Sequence, residues 1–573
     1  MLTFDIEPNS TGGHRGILRG YLTPRIYDVF QGLPGRKKLK SGTYFFEWSN
    51  ANVEYLLSKI PEAQWSPEAE AKKAEIVILR EVEAERRSAK NRPIPKEIAE
   101  FPFKKKPFDH QLKAFALSRD LEAYGLFMEQ GTGKSKVLID TAAHLFSTGE
   151  IDCLVVIAPN GVHTQWVKEQ LPDHMPDFVP WKGYYHESGA KKPALEKLKE
   201  VSEYTDGLKV ITIHIEAISS ASGETFLRNT LLQNRCLLVV DESSKIKTPA
   251  AKRTKAIIAL AKLAKYRRIA TGTPITQGVQ DIYSQFMFLD KNILGHNSYF
   301  SFTGRYCNTH QFEFNNRRIS KIIGYKHLDE LTDRIEGNSF RVTKVDCLDL
   351  PERFFIDEPV YLTDQQQELY NSLKKELYIE LEGQVITAPL VITALLRLQQ
   401  ILSGFIPNPE DGAPMEIASN RPNKAVSLVE ESAGKVIIWT KFKHDVEMLE
   451  KAFQKAGIGY VSYTGATPQA DRSAVIERFR NDTEVKVFIS NPKTAGTGLN
   501  LTVASTVIWF SADFSLENYL QANDRCHRIG QTEKVTYYNL CSPNTIDAKI
   551  YKALADKENI AKMVIDVKGM LNV

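Results

Sequence analysis

The sequence predicts an α/β protein: two doubly wound parallel-sheet lobes, joined by helical protrusions and a linker, behind a small α+β N-terminal unit. Three observations predict it. Continuous apolar runs rich in β-branched residues occur in two blocks, amphipathic helical stretches alternate with them, and 573 residues exceed what one ordinary core supports.

The runs are CLVVIAP (153–159) and CLLVVD (236–241) in the first block, then KVIIWT (435–440), VKVFIS (485–490) and STVIWF (505–510) in the second. Unbroken apolar runs suit strands buried on both faces of a parallel sheet. Between them, HDVEMLEKAFQKAG carries Val446, Leu449 and Phe453 on one helical stripe and ends on Gly457. The lobes are assigned to 105–290 and 426–573, and the less regular 291–425 to helical protrusions and an inter-lobe linker. Residues 66–104 read as a charged helix and a proline-punctuated linker. Residues 1–65 form the accessory unit, where GRKKLKSGTYFFEW predicts a hairpin with Tyr44, Phe46 and Trp48 on one face.

Composition narrows the function classes. At 42% hydrophobic and 25% charged residues the chain is globular, and no apolar run approaches a membrane span. No signal-peptide pattern is expected at MLTFDIEPNS. Six scattered cysteines without a CxxC pair predict neither a disulfide framework nor a zinc site, in a reducing compartment. A net charge of +4 leaves any nucleic-acid binding to a local groove. The lysine run 104–106 reads as solvated linker charge ahead of a nuclear localisation signal.

Three motifs carry chemistry. In MEQGTGKSK, Gly131, Thr132, Gly133, Lys134 and Ser135 separate an apolar segment from a helical run. Such glycines let backbone N–H groups turn toward phosphate oxygens at a helix N-terminus. Lys134 would reach the β and γ phosphates and Ser135 would ligate magnesium. Met128 stands where the strict loop has glycine, and the rival reading is a tight helix-start turn. Asp241 and Glu242 end the most apolar strand, where ligands of open parallel sheets sit. Asp241 would hold magnesium and Glu242 would orient and deprotonate water; an acidic helix cap is the rival. Arg525 and Arg528, spaced i and i+3 in QANDRCHRIGQ, are placed on one helix face. Surface ion pairing is their rival to supplying charge at a γ-phosphate across a cleft.

Taken in order, these motifs resemble the Swi/Snf-type ATPases of helicase superfamily two over roughly 105–550. Gln111 in FDHQLKAF resembles the glutamine that reads adenine. IAPNGVHTQWVKE (157–169) and ITIHIEAIS resemble DNA-contacting segments, with Pro159, His163 and His214 near them. ATGTPITQGVQDIYSQF (270–286) is similar to the coupling motif, with Thr271, Gly272 and Thr273, and Gln521 joins that set. KVIIWTKF and NPKTAGTGLNLTVAS resemble elements that grip the DNA backbone, giving Thr440, Lys441, Thr494, Gly496 and Asn500. Ser243 and Ser244 follow the Asp-Glu pair where the family commonly has a histidine. The stretch Gly20–Trp65 resembles the HARP-type domain of annealing helicases; there Arg36, Lys37, Lys38 and Lys40 would contact phosphates. An unrelated accessory domain with aromatics in its core is the equal alternative.

The resemblance implies two RecA-like lobes, ATP and Mg2+ as cofactors, and a DNA-dependent ATPase that translocates on double-stranded or forked DNA. Rival expectations are a strand-separating DNA or RNA helicase and an ATP-switched DNA scaffold. The compact chain suggests a bacterial or bacterial-virus source and a cytoplasmic protein, or a nuclear one if eukaryotic.

Overall fold

The computed structural model describes residues 2–9, 14–20, 22–33, 35–38, 43–187, 189, 192–314, 317–347, 350–383, 388–408, 414–468, 471–495, 499–528 and 530–565. Two compact units emerge: one holds residues 2–129 and 133–343, the other 344–559 together with 130–132.

The first unit opens on a five-stranded sheet of β1 (Thr3–Pro8), β2 (His14–Arg19), β3 (Lys37–Lys38), β4 (Tyr44–Glu47) and β5 (Gln64–Trp65), ordered β3-β4-β2-β1-β5. The expected hairpin is there, with Lys37 opposite Phe45 and Lys38 opposite Tyr44. Phe4, Phe30, Phe46 and Trp48 fill the core, so these aromatics are packing residues. The helix Pro67–Ala89, capped by the Ser66 hydroxyl on the Ala69 amide, adds Ala69 and Ile76 to the same core. It is therefore part of the accessory domain.

That domain is tied to the lobe behind it. Glu54 accepts from Arg80 Nε at 2.5 Å and from Arg334 Nη2 at 2.5 Å. Asn338 Nδ2 donates to the buried Glu83, and the Ala51 amide donates to the Gly295 carbonyl.

The lobe's sheet is seven-stranded: β6 (Ala123–Met128), β7 (Cys153–Ala158), β8 (Trp181–Tyr185), β9 (Leu208–His214), β10 (Cys236–Asp241), β11 (Tyr266–Ala270) and β14 (Ser339–Val342), ordered β14-β6-β11-β10-β7-β9-β8. All its pairings are parallel, and β7 and β10 are buried at every position. Between β11 and β14 a separate ribbon, β12 (Cys307–Phe314) with β13 (Arg317–Tyr325), pairs antiparallel.

In the second unit β15 (Arg353–Pro359), β18 (Lys435–Trp439), β19 (Tyr460–Tyr463), β20 (Val487–Ser490), β21 (Ala504–Trp509) and β22 (Val535–Cys541) form a parallel sheet ordered β15-β22-β21-β18-β20-β19. A short antiparallel pair, β16 (Phe405–Ile406) and β17 (Met415–Glu416), stands beside it. The helix Lys443–Ala456 buries Val446, Leu449 and Phe453 and stops at Gly457, whose φ of +70° suits a residue without Cβ.

The stretch 291–425 thus holds more than helices and linker. It gives each lobe an edge strand, β14 or β15, and it contains the β12–β13 ribbon. No described helix is long and apolar enough to cross a membrane.

Candidate active site and nucleic-acid interface

β6 delivers the glycine loop at the carboxyl edge of the first sheet, and the helix Lys134–Ser147 leaves from it. Gly131 and Gly133 take φ of +79° and +91°, which L side chains rarely adopt. A Cβ on Gly133 would lie 2.1 Å from Gln111 Nε2, so the chain needs glycine there for the glutamine to close over the loop. Gln111 is itself fixed: its Oε1 accepts from the Phe108 amide at 3.1 Å, capping the helix Asp109–Ser118. Buried Lys134 donates to the carbonyls of Met128 at 2.9 Å and Glu129 at 3.4 Å. The expected adenine reader and phosphate lysine are thereby brought to one loop. Thr132 is buried and Ser135 half-buried beside them.

Asp241 ends β10, two strands from β6. Burial pushes its carboxyl up, while the Trp166 indole, Lys134 and the Glu242 amide pull it down. Trp166 Nε1 donates to Asp241 Oδ2 at 2.9 Å. Glu242 adopts φ +56° and ψ +57°, a left-handed conformation costly for a residue with a Cβ. This conformation and a hydrogen bond from Thr271 Oγ1 to Glu242 Oε2 at 3.2 Å fix its carboxylate.

The serine after the pair has a defined role. Ser243 Oγ donates to Gln285 Oε1 at 2.7 Å, and Gln285 Nε2 donates to the Pro274 carbonyl at 2.7 Å. Thr271 Oγ1 in turn accepts from the Thr273 amide, and Asp281 Oδ2 gathers the Thr276 and Gln277 amides at 2.8 Å each. The Thr271–Thr273 segment, with Gly272 half-buried between them, is therefore bonded directly to Glu242, and Gln285 links the neighbouring Ser243 to Pro274 just beyond it. Sequence reasoning does not single out Gln285 and Asp281; their i, i+4 spacing inside QDIYSQF is the signal that could find them.

Asp241 and Ser135 offer one carboxylate and one hydroxyl. Among the described residues no group of three or more His, Cys, Asp or Glu side chains could hold a metal. One carboxylate and one hydroxyl suit Mg2+, which keeps several waters and binds through a substrate's phosphates.

In the second unit Arg525 and Arg528 are not on a helix face. The helix Leu516–Asn523 ends before them, capped at Asp524, and both arginines lie on the following turn. The turn is pinned too firmly to continue the helix. Gln531 Nε2 donates to the carbonyls of Thr502, Ala504 and Cys526, and the Leu501 amide donates to the Arg525 carbonyl. Lys344 Nζ binds Asp524 Oδ1 at 2.6 Å and the His527 carbonyl at 2.5 Å. Arg528 donates to the Leu499 carbonyl, and burial pulls its guanidinium pKa down. Gln521, on the helix, is buried and donates to Glu517.

The expected DNA contacts divide by exposure. Thr440 is fully buried, its hydroxyl on the Ser490 carbonyl at 3.4 Å, so it braces the ends of β18 and β20. Lys441 pairs with Gln399, and burial lowers its ammonium pKa. Thr494 is half-buried and Asn500 exposed; Gly496 and Lys40 lie outside the described residues. Arg36, Lys37 and Lys38 are exposed, with Arg36 held by Gln31 and the Leu33 carbonyl. In the first lobe the His163 and His214 rings lie 5.3 Å apart, His214 closing β9 and His163 following β7. Burial lowers the His163 pKa to about 4, so it is neutral at pH 7 and contributes no cation there.

Residues 75–404 match the SNF2-related domain and residues 420–530 the helicase conserved C-terminal domain. The chain is 24% identical over 466 residues to the DNA annealing helicase and endonuclease ZRANB3 of Mus musculus, covering 79% of this chain and 40% of that one. It is 26% identical over 434 residues to the DNA excision repair protein ERCC-6 of Homo sapiens, covering 72% and 28%. An uncharacterized ATP-dependent helicase of Mycoplasma genitalium is 28% identical over 340 residues, covering 57% and 30%. Each of these matches therefore spans under half of the relative's own length. Among solved structures, the Sulfolobus solfataricus SWI2/SNF2 ATPase core in complex with dsDNA is 25% identical, with 81% of this chain and 94% of that one covered and a TM-score of 0.37.

Proposed function

We propose, on the premise that the chain belongs to the family defined by the SNF2-related domain, that it is a DNA-stimulated ATPase that moves along double-stranded DNA. The observation that carries the reading is the pair of bonds around the acidic residues. Trp166 and Thr271 fix Asp241 and Glu242 at the same sheet edge that presents Lys134.

ATP is the substrate. Gln111 orients the base, the amides of the glycine loop and Lys134 hold the phosphates, and Glu242 orients water and accepts its proton. Asp241 and Ser135 would hold Mg2+, which neutralises charge on phosphate oxygens when bound. Arg525 and Arg528 stabilise charge growing on the γ-phosphate. The bonds from Thr271 and Ser243 carry the occupancy of that site into the 271–285 segment, and thence to strand-end loops that bind DNA. Contacts by Lys441, Thr494, Gly496 and Asn500 would go to phosphates, so little sequence preference and a steep salt dependence are expected.

We extend the reading to forked DNA, because the exposed cations Arg36, Lys37 and Lys38 stand on a domain fused to the first lobe. Steady-state hydrolysis with duplex, single-stranded, forked and RNA ligands at fixed salt tests both levels. Stimulation by duplex or fork supports the reading, and stimulation by RNA alone overturns it.

A further inference from the structure

The edge strands of the two large sheets are β14 and β8 in one, β15 and β19 in the other. No position of β14, β8 or β19 is exposed. β15 differs: Phe354, Phe355, Ile356 and Asp357 are exposed in succession, the three apolar side chains at 45%, 47% and 39%. Proteins ordinarily cover or blunt such an edge, because its unpaired peptide groups invite another strand.

The ladder shows which groups are unpaired. The Val535 amide donates to the Glu352 carbonyl, and the Val360 amide to the Cys541 carbonyl. Peptide groups alternate in direction along a strand, so 352, 354, 356, 358 and 360 turn toward β22. Arg353, Phe355 and Asp357 therefore turn theirs outward. Pro359 falls in the outward set, where its missing N–H costs the ladder nothing.

The side chains on that outward set are complementary to themselves. In an antiparallel pair, outward residues of one strand exchange bonds with outward residues of the other. Centred on Phe355, two copies of β15 would set Phe355 against Phe355, Phe354 against Ile356, and Arg353 of each copy against Asp357 of the other. Sliding by two residues sets Phe355 against a charge, and sliding by four sets like charges together. The face is also held in place beforehand. The Arg353 guanidinium lies 5.7 Å over the Phe355 ring, Phe355 stacks on Tyr537 at 4.7 Å, and Asn539 Nδ2 donates to Asp357 at 2.8 Å. Glu352 and Glu358, which also come opposite one another, are each compensated within their own chain, by Lys534 at 2.8 Å and Lys424 at 2.5 Å.

We infer that β15 is a docking edge for a second copy of this chain, the two strands pairing antiparallel about a two-fold axis so that the sheets of their second units run on as one. Sedimentation equilibrium of the full chain tests it. The wild-type chain should form a reversible dimer, with a dissociation constant on the order of 10 μM for so small an interface. Arg353→Glu and Asp357→Arg each create two like-charged pairs and should weaken association by about tenfold or more. Hydrolysis without DNA should stay at the wild-type rate in both. Mixed in equal amounts, the two variants should associate with about wild-type affinity, since each introduced charge then meets its opposite; a folding defect cannot produce that rescue. Hydrogen exchange reads the same edge without substitution: the amides of Arg353, Phe355 and Asp357 should slow as wild-type concentration rises. A chain still monomeric at about 100 μM would leave the edge to some other protein and overturn the inference. Association indifferent to both variants, loss without rescue on mixing, or exchange at these amides that ignores concentration would overturn it equally.

Discussion

The indole of Trp166 donates to Asp241 Oδ2 at 2.9 Å across 75 positions of sequence, making a buried aromatic the support of the candidate metal-binding carboxylate. Burial alone raises the carboxyl of Asp241, and this bond is the first influence that opposes it.

Trp166→Phe should therefore raise the Asp241 pKa further, since the bond stabilises the charged form. The acid limb of kcat should move to higher pH, with activity at pH 6 falling more than at pH 8. An unmoved acid limb in a pH–rate profile would remove Trp166 from this role.

Thr271→Val deletes the hydroxyl that reaches Glu242 Oε2. Nucleotide affinity should stay within about twofold, while turnover falls by about tenfold. Glu242→Gln should cost more, about 10²–10⁴-fold, as expected when a general base is lost. Single-turnover hydrolysis beside fluorescent-nucleotide binding separates the two effects.

Lys344 and Asp524 form a buried pair, with side chains 3% and 9% exposed. Lys344→Met should destabilise the second unit by about 3–5 kcal/mol, because Asp524 would be left charged and buried. The double variant Lys344→Met/Asp524→Leu should recover most of that loss. Urea unfolding of the three proteins measures the coupling.

His296 is 1% exposed, and burial lowers its pKa to about 3. The unfolded chain takes a proton near pH 6.5 that the folded chain refuses, so stability is full above that pH and declines below it toward pH 3. His296→Gln should flatten the acid limb of stability by up to about 1.4 kcal/mol per pH unit. Thermal melts between pH 7 and pH 5 test the slope.

The central strands were legible because CLLVVD and CLVVIAP are continuous apolar runs, buried at every position of β10 and β7. The edge strands were not. SFRV is four residues long, and RFFIDEP is largely exposed, so neither makes an uninterrupted apolar run. The acidic pair and the glycine loop could be read because their chemistry is local in sequence. Trp166, Gln285 and Lys344 act through partners 75, 42 and 180 residues away, which only the topology supplies. The helical spacing of Arg525 and Arg528 misled, since Gln531 and Lys344 hold their segment as a turn.

Arg334 of the first lobe finds its carboxylates on Glu54 of the accessory domain and on Glu330. A protein begun at residue 105 would strip Glu54 from that guanidinium and uncover the Gly295 carbonyl that Ala51 now caps. The N-terminal domain is thus no detachable cargo but a keystone of the first lobe. Transplanting the lobe without it would trade a recognition question for a folding problem.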